Sequence, residues 1–147
     1  MCYSKIFNAV GDGSQDDGTL YSLSDEFLEA ARVLQATLPT RVNYSSATYY
    51  LLGHAAELML KAFLCKHGQT MSDLRKINHD LKKLSSLARA KGLHEEVQLV
   101  QIDLLADSYN EKSFEYRTRK KKTFPSLDHL TEEIVNLQSA VFDRLRE

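Results

Sequence analysis

The stretch 44–67, YSSATYYLLGHAAELMLKAFLCKH, constrains the fold more than any other part of this chain. It predicts a helix that is apolar on nearly every side, interrupted by one polar stripe of His54, Glu57 and Lys61. Steps of three and four residues place those side chains on one face of the helix. Because a helix that is apolar on most faces belongs at the centre of a bundle, the stripe must find partners, reach a groove or reduce stability.

Other segments of the chain show helical periodicity, and no segment shows strand-like alternation or a hairpin turn signal. Besides the central helix, the expected helices cover about 23–38, 78–92 and 93–110, and a last helix begins at Ser126. The sequence therefore predicts an all-α, up-and-down bundle of four to five helices. Residues 1–20 are expected to form an irregular N-terminal arm, and residues 21–147 a single domain.

Helix boundaries follow from capping residues. Ser22 or Ser24 is the expected cap of the first helix, Gly68 the expected stop of the central helix, and Gly92 that of the third. The connector 69–78 is expected to hold one helical turn after Ser72. The inward positions expected for the fourth helix are Leu93, Val97, Val100 and Leu104.

The composition is that of a soluble globular domain, with 147 residues, 43% hydrophobic and 27% charged. The apolar run in 49–65 contains charged residues, which argues against a membrane span. The chain begins without a basic segment followed by an apolar one, and its two cysteines cannot build a disulfide framework. A cytoplasmic location is therefore expected.

The segment 111–125, EKSFEYRTRKKKTFP, is an unusually long connection between two helices, since two to eight residues is normal. Its residues 117–122, RTRKKK, carry five positive charges, so the rest of the chain sums to −6. Arginines grip phosphate bidentately, and the rings of Phe114 and Tyr116 could stack on bases. The segment is thus a candidate contact for a polyanion, the alternatives being a solvated loop or a protein-docking loop. The candidate ligand-binding residues here are Tyr116, Arg117, Arg119, Lys120, Lys121 and Lys122.

Three further residues are candidates for ligand contact. His79 lies at a predicted helix start beside Arg75, where anions are welcome, although the same segment could simply cap the helix. His54 belongs to the polar stripe, which is either a ligand-facing row or a satisfied polar row at a groove or dimer seam. No metal site or cofactor is predicted, because Cys65 and His67 are two residues apart on a helix and point in different directions.

Several motifs occur in an order that resembles the HEPN family (higher eukaryotes and prokaryotes nucleotide-binding). The central helix matches the family pattern A-x-E-x-x-L-K-A, and His79 with Leu81 matches its H-x-L element. The last family element is a tyrosine followed later by an arginine–tyrosine pair. Tyr109 matches the tyrosine, and Tyr116-Arg117 matches the pair with its order inverted. The resemblance spans about 50–120. The residues matched in the central helix are Ala55, Glu57, Leu60, Lys61 and Ala62.

The resemblance implies a helical homodimer that binds RNA or a nucleotide, with Glu57 and Lys61 as part of a scaffold signature. It also implies a defence or toxin–antitoxin context and a nucleotidyltransferase-like partner protein. Ribonuclease members carry an arginine followed, after four to six residues, by a histidine. Arg89 and His94 have this spacing, but Ala90 replaces the usual polar neighbour and Gly92 interrupts the helix.

The sequence therefore favours a non-catalytic HEPN-like module that binds RNA, a nucleotide or a protein partner. Two alternatives stay open. One is a metal-independent ribonuclease toxin that uses Arg89 and His94, and the other is a purely structural interaction bundle.

Overall fold

A computed structural model describes residues 16–112, 114 and 123–147, with the side chain of His94 excepted. Most of the predicted N-terminal arm lies outside these ranges. So do the candidate ligand-binding residues of the cationic segment, which are Tyr116, Arg117, Arg119, Lys120, Lys121 and Lys122.

Every regular element within the described ranges is helical, which confirms the all-α prediction. In the same ranges, no helix has the length and apolar character needed to cross a membrane. The elements are α1 (Asp17–Ala36), α2 (Ser45–Lys66), α3 (Met71–Ile77), α4 (Leu81–Ala90), a 3-10 turn (Leu93–Glu95), α5 (Val100–Asn110) and α6 (Leu127–Leu145).

Helix α2 is the centre of the bundle, as its apolar sequence predicts. It packs against each of the other five α-helices and buries residues on all sides, including Leu52, Met59 and Phe63. The helix ends where predicted, because Gly68 adopts a φ of +101° that favours glycine. The N–H of Gln69 then donates to the carbonyl of Leu64 at 3.0 Å, which closes a Schellman motif.

Helix α1 begins earlier than the sequence predicted. Asp16 is its cap, and its carboxylate accepts from the N–H of Thr19 at 2.8 Å, so the expected start near 23 with Ser22 or Ser24 as cap is wrong. Leu20 is buried in the core, and Ser24 is buried inside the helix. Residues 17–20 therefore belong to the bundle rather than to the arm.

The predicted fourth helix over 93–110 is also wrong in its first half. Gly92 ends α4 with a φ of +93°, a 3-10 turn follows, and α5 begins only at Val100. Leu93 and Val97 are buried as expected, but Val100 and Leu104 are 50% and 47% exposed. Because α5 begins only at Val100, the helical spacing that starts at Leu93 does not continue into it and does not identify its inward face. The buried residues of α5 are Ile102, Leu105, Ala106, Ser108 and Tyr109.

A carboxylate from another helix explains how α5 can begin without a cap of its own. Leu99, at the cap position, has no suitable side chain, and Glu133 of α6 accepts from the N–H of Ile102 at 2.7 Å. Burial raises the pKa of Glu133, and its bonds to the first backbone N–H groups of α5 offset only part of that effect. The start of α5 thus depends on α6.

The remaining helix starts are close to the predicted ones. Ser126 caps α6 by accepting from the N–H of His129 at 3.1 Å, which confirms the prediction. The connector turn begins one residue before Ser72 and is capped by Thr70. Helix α4 is capped by Asp80, so it starts slightly later than the expected 78 or 79.

Candidate functional site

Glu57 is the centre of a buried polar cluster on α2. Its side chain is only 1% exposed and accepts hydrogen bonds from three directions. Nζ of Lys61 lies 3.0 Å from Oε2, and the hydroxyl of Tyr109 on α5 donates to Oε1 at 2.7 Å. Nδ1 of His79, in the connection between α3 and α4, lies 3.0 Å from Oε1. One carboxylate therefore joins three parts of the fold.

These partners keep Glu57 ionised despite its burial. Burial by itself raises the pKa of a carboxyl group, because it penalises the charged form. The positive charge of Lys61 and the hydrogen bonds from Tyr109, His79 and Lys61 act in the opposite direction and prevail, so the pKa of Glu57 is lowered. The cluster therefore contains a fixed negative charge at neutral pH.

His54 completes the cluster from the same helix. Its Nδ1 lies 3.2 Å from the hydroxyl oxygen of Tyr109, which gives its proton to Glu57 and so accepts from the imidazole. The imidazole also packs edge-on against Phe27, with ring centroids 4.4 Å apart, and stacks on Tyr50. All three side chains of the polar stripe thus have partners within the chain, as a satisfied polar row requires; its position at a groove or dimer seam stays a prediction.

Gly53 makes room for the tyrosine of this cluster. A Cβ atom at Gly53 would lie 2.5 Å from Cδ2 of Tyr109, closer than atoms can approach without moving. The glycine therefore allows the ring of Tyr109 to lie directly on the backbone of α2. This close approach brings the hydroxyl within reach of Glu57.

His79 is the member of the cluster that reaches the surface. Its side chain is 54% exposed although Nδ1 faces the buried carboxylate. The start of α4 is fixed beside it, because Asn110 accepts from the N–H of Leu81 at 2.9 Å and donates to Asp80 at 3.0 Å. Asp80 caps the helix, which leaves the imidazole of His79 for Glu57.

Arg75, the candidate ligand contact beside His79, lies outside the Glu57 cluster. Arg75 is exposed on α3, and the described contacts include none between it and the Glu57 cluster. Its role as a ligand contact stays a prediction.

Three aromatic rings close the base of the cationic segment. The ring of Tyr49 on α2 stacks on Phe114 at 5.3 Å and contacts Phe124 at 5.5 Å, and Phe114 lies 5.3 Å from Phe124. The hydroxyl of Tyr49 donates to the carbonyl of Pro125 at 2.6 Å. We call Tyr49, Phe114 and Phe124 the aromatic clamp. Phe114 thus packs against two rings of the scaffold, and its stacking on bases stays a prediction.

Sequence reasoning missed both Tyr109 as the partner of Glu57 and Tyr49 as the centre of the clamp. The usable signal for the clamp is the pair of phenylalanines that flank the cationic cluster, one on each side. In this chain the two rings contact each other and Tyr49 of α2.

The arginine of the alternative catalytic pair is committed to a structural contact. Arg89 on α4 donates to Ser85 at 3.1 Å and forms an ion pair with Asp103 on α5. Ser85 also donates to Asp103 at 2.9 Å. This small network ties α4 to α5. The side chain of His94 lies outside the described part of the structure, so the pairing of Arg89 with His94 stays a prediction.

Within the described ranges, no group of three or more histidine, cysteine, aspartate or glutamate side chains is arranged to hold a metal ion. Searches against protein-family models, curated proteins and solved structures found no match to this chain.

Proposed function

We propose that this chain is a HEPN-like, up-and-down helical bundle that binds RNA through residues 116–122, without a catalytic centre of its own. The observation that carries the proposal is the aromatic clamp, which brings the two ends of the cationic segment together. Phe114 and Phe124 are in contact, and five positive charges lie between them in the sequence.

A segment with this charge, held at both ends, suits a phosphate backbone. Each phosphate that a lysine or arginine neutralises releases counterions, and this release supplies most of the sequence-independent affinity for nucleic acids. The rest of the chain sums to −6, so the loop is the strongest positive feature of an otherwise acidic protein. Anchoring both loop ends lowers the entropy that binding must overcome.

We propose in addition that the bundle acts as a homodimer, as the HEPN resemblance implies. Val100 and Leu104 support this, since they lie one turn apart on α5 and are about half exposed. Sedimentation should show a dimer at micromolar concentration, and Leu104→Lys should shift it towards monomer. A clean monomer for the unsubstituted chain would remove this part of the proposal.

The resemblance further suggests a defence or toxin–antitoxin setting with a nucleotidyltransferase-like partner. The ribonuclease alternative has less support, because the ion pair with Asp103 neutralises Arg89 and holds it between helices.

RNA affinity measured against salt tests the proposed function. For a single-stranded RNA, affinity should fall about a hundredfold between 50 and 200 mM salt if all five loop cations contact phosphate. Replacing Arg117, Arg119, Lys120, Lys121 and Lys122 with glutamine should remove most of the binding and of the salt dependence.

A matched control replaces five exposed cations elsewhere with glutamine, namely Arg32, Arg41, Lys66, Lys83 and Lys91. These lie outside the loop, so binding should persist. If the two variants lose equal affinity, or if the loop variant binds like the unsubstituted chain, the proposed function is wrong.

A further inference from the structure

His79 differs from the other histidines whose side chains the structure describes. His54 is largely buried between rings, and Nδ1 of His67 lies 2.8 Å from the carbonyl of Phe63. His129 is exposed, with no carboxylate partner among the described contacts. His79 is both more than half exposed and hydrogen-bonded through Nδ1 to a buried, ionised carboxylate.

This geometry fixes the chemistry of the ring. An ionised carboxylate can only accept, so Nδ1 of His79 carries the proton in its bond to Glu57. In the neutral ring, the lone pair is then on Nε2. Because Nδ1 faces the buried carboxylate, Nε2 lies on the opposite, exposed edge of the ring. When Nε2 attacks an electrophile, positive charge develops on the ring, and Glu57 is placed to stabilise it.

The surroundings of His79 favour an anionic reactant. Arg75 and Lys76 precede it on α3, and Lys82 and Lys83 follow it in the first turn of α4, all four with exposed side chains. Asp80 is the nearest acidic neighbour along the chain, and its carboxylate is bound to the N–H of Lys83 and to Asn110. Nζ of Lys82 lies 3.8 Å from the carboxylate of Asp107 on α5, so one of the four positive charges is paired. Three positive charges remain against the one negative charge of Asp80, and the chain around His79 is net positive, which favours a small anion.

We propose that Nε2 of His79 is a phosphoryl-acceptor site, modified by a small phosphoramidate or acyl phosphate donor. The lone pair of Nε2 forms an N–P bond, and the P–N or P–O bond of the donor breaks. The electron pair of the broken bond leaves with ammonia or with the carboxylate. The proton on Nδ1 stays in place, bonded to Glu57. This site is independent of the proposed RNA binding by the cationic loop.

Labelling with phosphoramidate tests the proposal directly. The folded chain is incubated with the reagent, and the modified residue and ring nitrogen are identified by fragmentation mass spectrometry and phosphorus NMR. We expect Nε2 of His79 to be modified about tenfold faster than His129 in the same molecule, the lower end of the effect that a carboxylate partner has on a metal-binding histidine. In urea, where Glu57 no longer holds the ring, the two histidines should react at equal rates.

Variants distinguish the effect of Glu57, which orients the imidazole of His79, from the effect of exposure of that imidazole alone. His79→Gln should abolish the fast adduct, and His129→Gln should leave it unchanged. Glu57→Gln should lower the rate at His79 about tenfold, with folding checked by circular dichroism. Equal rates at His79 and His129 in the folded chain would overturn the proposal without depending on any variant, and so would modification at Nδ1 of His79.

Discussion

The hydroxyl of Tyr109 lies 2.7 Å from Oε1 of Glu57, although the two residues are 52 positions apart in the chain. This hydrogen bond joins α5 to the central helix inside the core. The same oxygen also accepts from His79, so the bond is one part of a shared arrangement. Loss of any member changes the hydrogen bonding of the others, and their energetic effects should therefore not be additive.

Removal of the central carboxylate should be costly. Glu57→Ala leaves the charge of Lys61 and the hydroxyl of Tyr109 without their partner, and breaking a buried ion pair in this way costs about 3–5 kcal/mol. Urea denaturation measures the loss. Glu26→Ala on the exposed face of α1 is the matched control and should change stability by less than about 0.5 kcal/mol. Similar losses for the two variants would contradict a central role for Glu57.

The stability of the protein should fall in acid, and Glu57 should account for part of the fall. Its pKa is lower in the folded chain than in the unfolded one, so ionisation stabilises the fold. That contribution is complete above the unfolded pKa of about 4.3 and disappears as the pH drops through the folded pKa. The difference in unfolding free energy between the unsubstituted chain and Glu57→Gln should therefore shrink with acidification. A difference that stays constant from neutral pH into acid would refute this assignment.

Because Gly53 and Tyr109 are in close contact, the effect of Gly53→Ala on stability should change sign when the tyrosine ring is removed. In the unsubstituted chain, Gly53→Ala forces the tyrosine ring away from α2 and should destabilise by about 1–3 kcal/mol. In a Tyr109→Ala background the space is free, and the same substitution should stabilise by up to about 1 kcal/mol through helix propensity. A double-mutant cycle measures both values. Stabilisation in both backgrounds would show that the contact does not restrict position 53.

The capping of α5 by Glu133 can be tested by comparing substitutions of Glu133 and of the adjacent Glu132. Glu133→Ala removes the acceptor for the first N–H groups of α5 and should cost about 1–2 kcal/mol. Glu132→Ala, one position earlier on an exposed face of α6, should be nearly neutral. Hydrogen exchange should show faster opening of the first turn of α5 in the Glu133 variant alone. Equal exchange in the two variants would contradict the capping role.

The aromatic clamp should affect RNA affinity without changing the number of phosphate contacts. Tyr49→Ala removes the ring that joins Phe114 to Phe124 but keeps all five cations of the loop. If RNA binds as proposed, affinity should fall severalfold, because the loop ends are no longer held and more entropy is lost on binding. The slope of log affinity against log salt should be unchanged. A reduced slope would mean that the clamp residues themselves contact the RNA.

The central helix shows which features the sequence can predict and which it cannot. The apolar faces of α2 and the stop at Gly68 are local patterns, and both were predicted correctly. The partners of Glu57 are not local, since Tyr109 and His79 come from other elements, and no spacing rule links them to position 57.

The prediction of where α5 starts was wrong for a related reason. Leu93 and Val97 have helical spacing and are buried, but they pack from a turn and a loop rather than from a helix. The true start is set by Glu133, a residue of another helix. Apolar periodicity reports burial well, but it does not identify a cap that lies elsewhere in the chain.

The contact between Phe114 and Phe124 has a consequence for how sequences at this position can vary. Because the two rings meet, we expect the helices to tolerate changes in the length and composition of the chain between them. The cost of closing a flexible loop grows only slowly with its length, by about 0.6 kcal/mol for each doubling. The bundle can therefore serve as a host for exchanged segments, in which binding specificity is grafted between two fixed rings while the core is left intact.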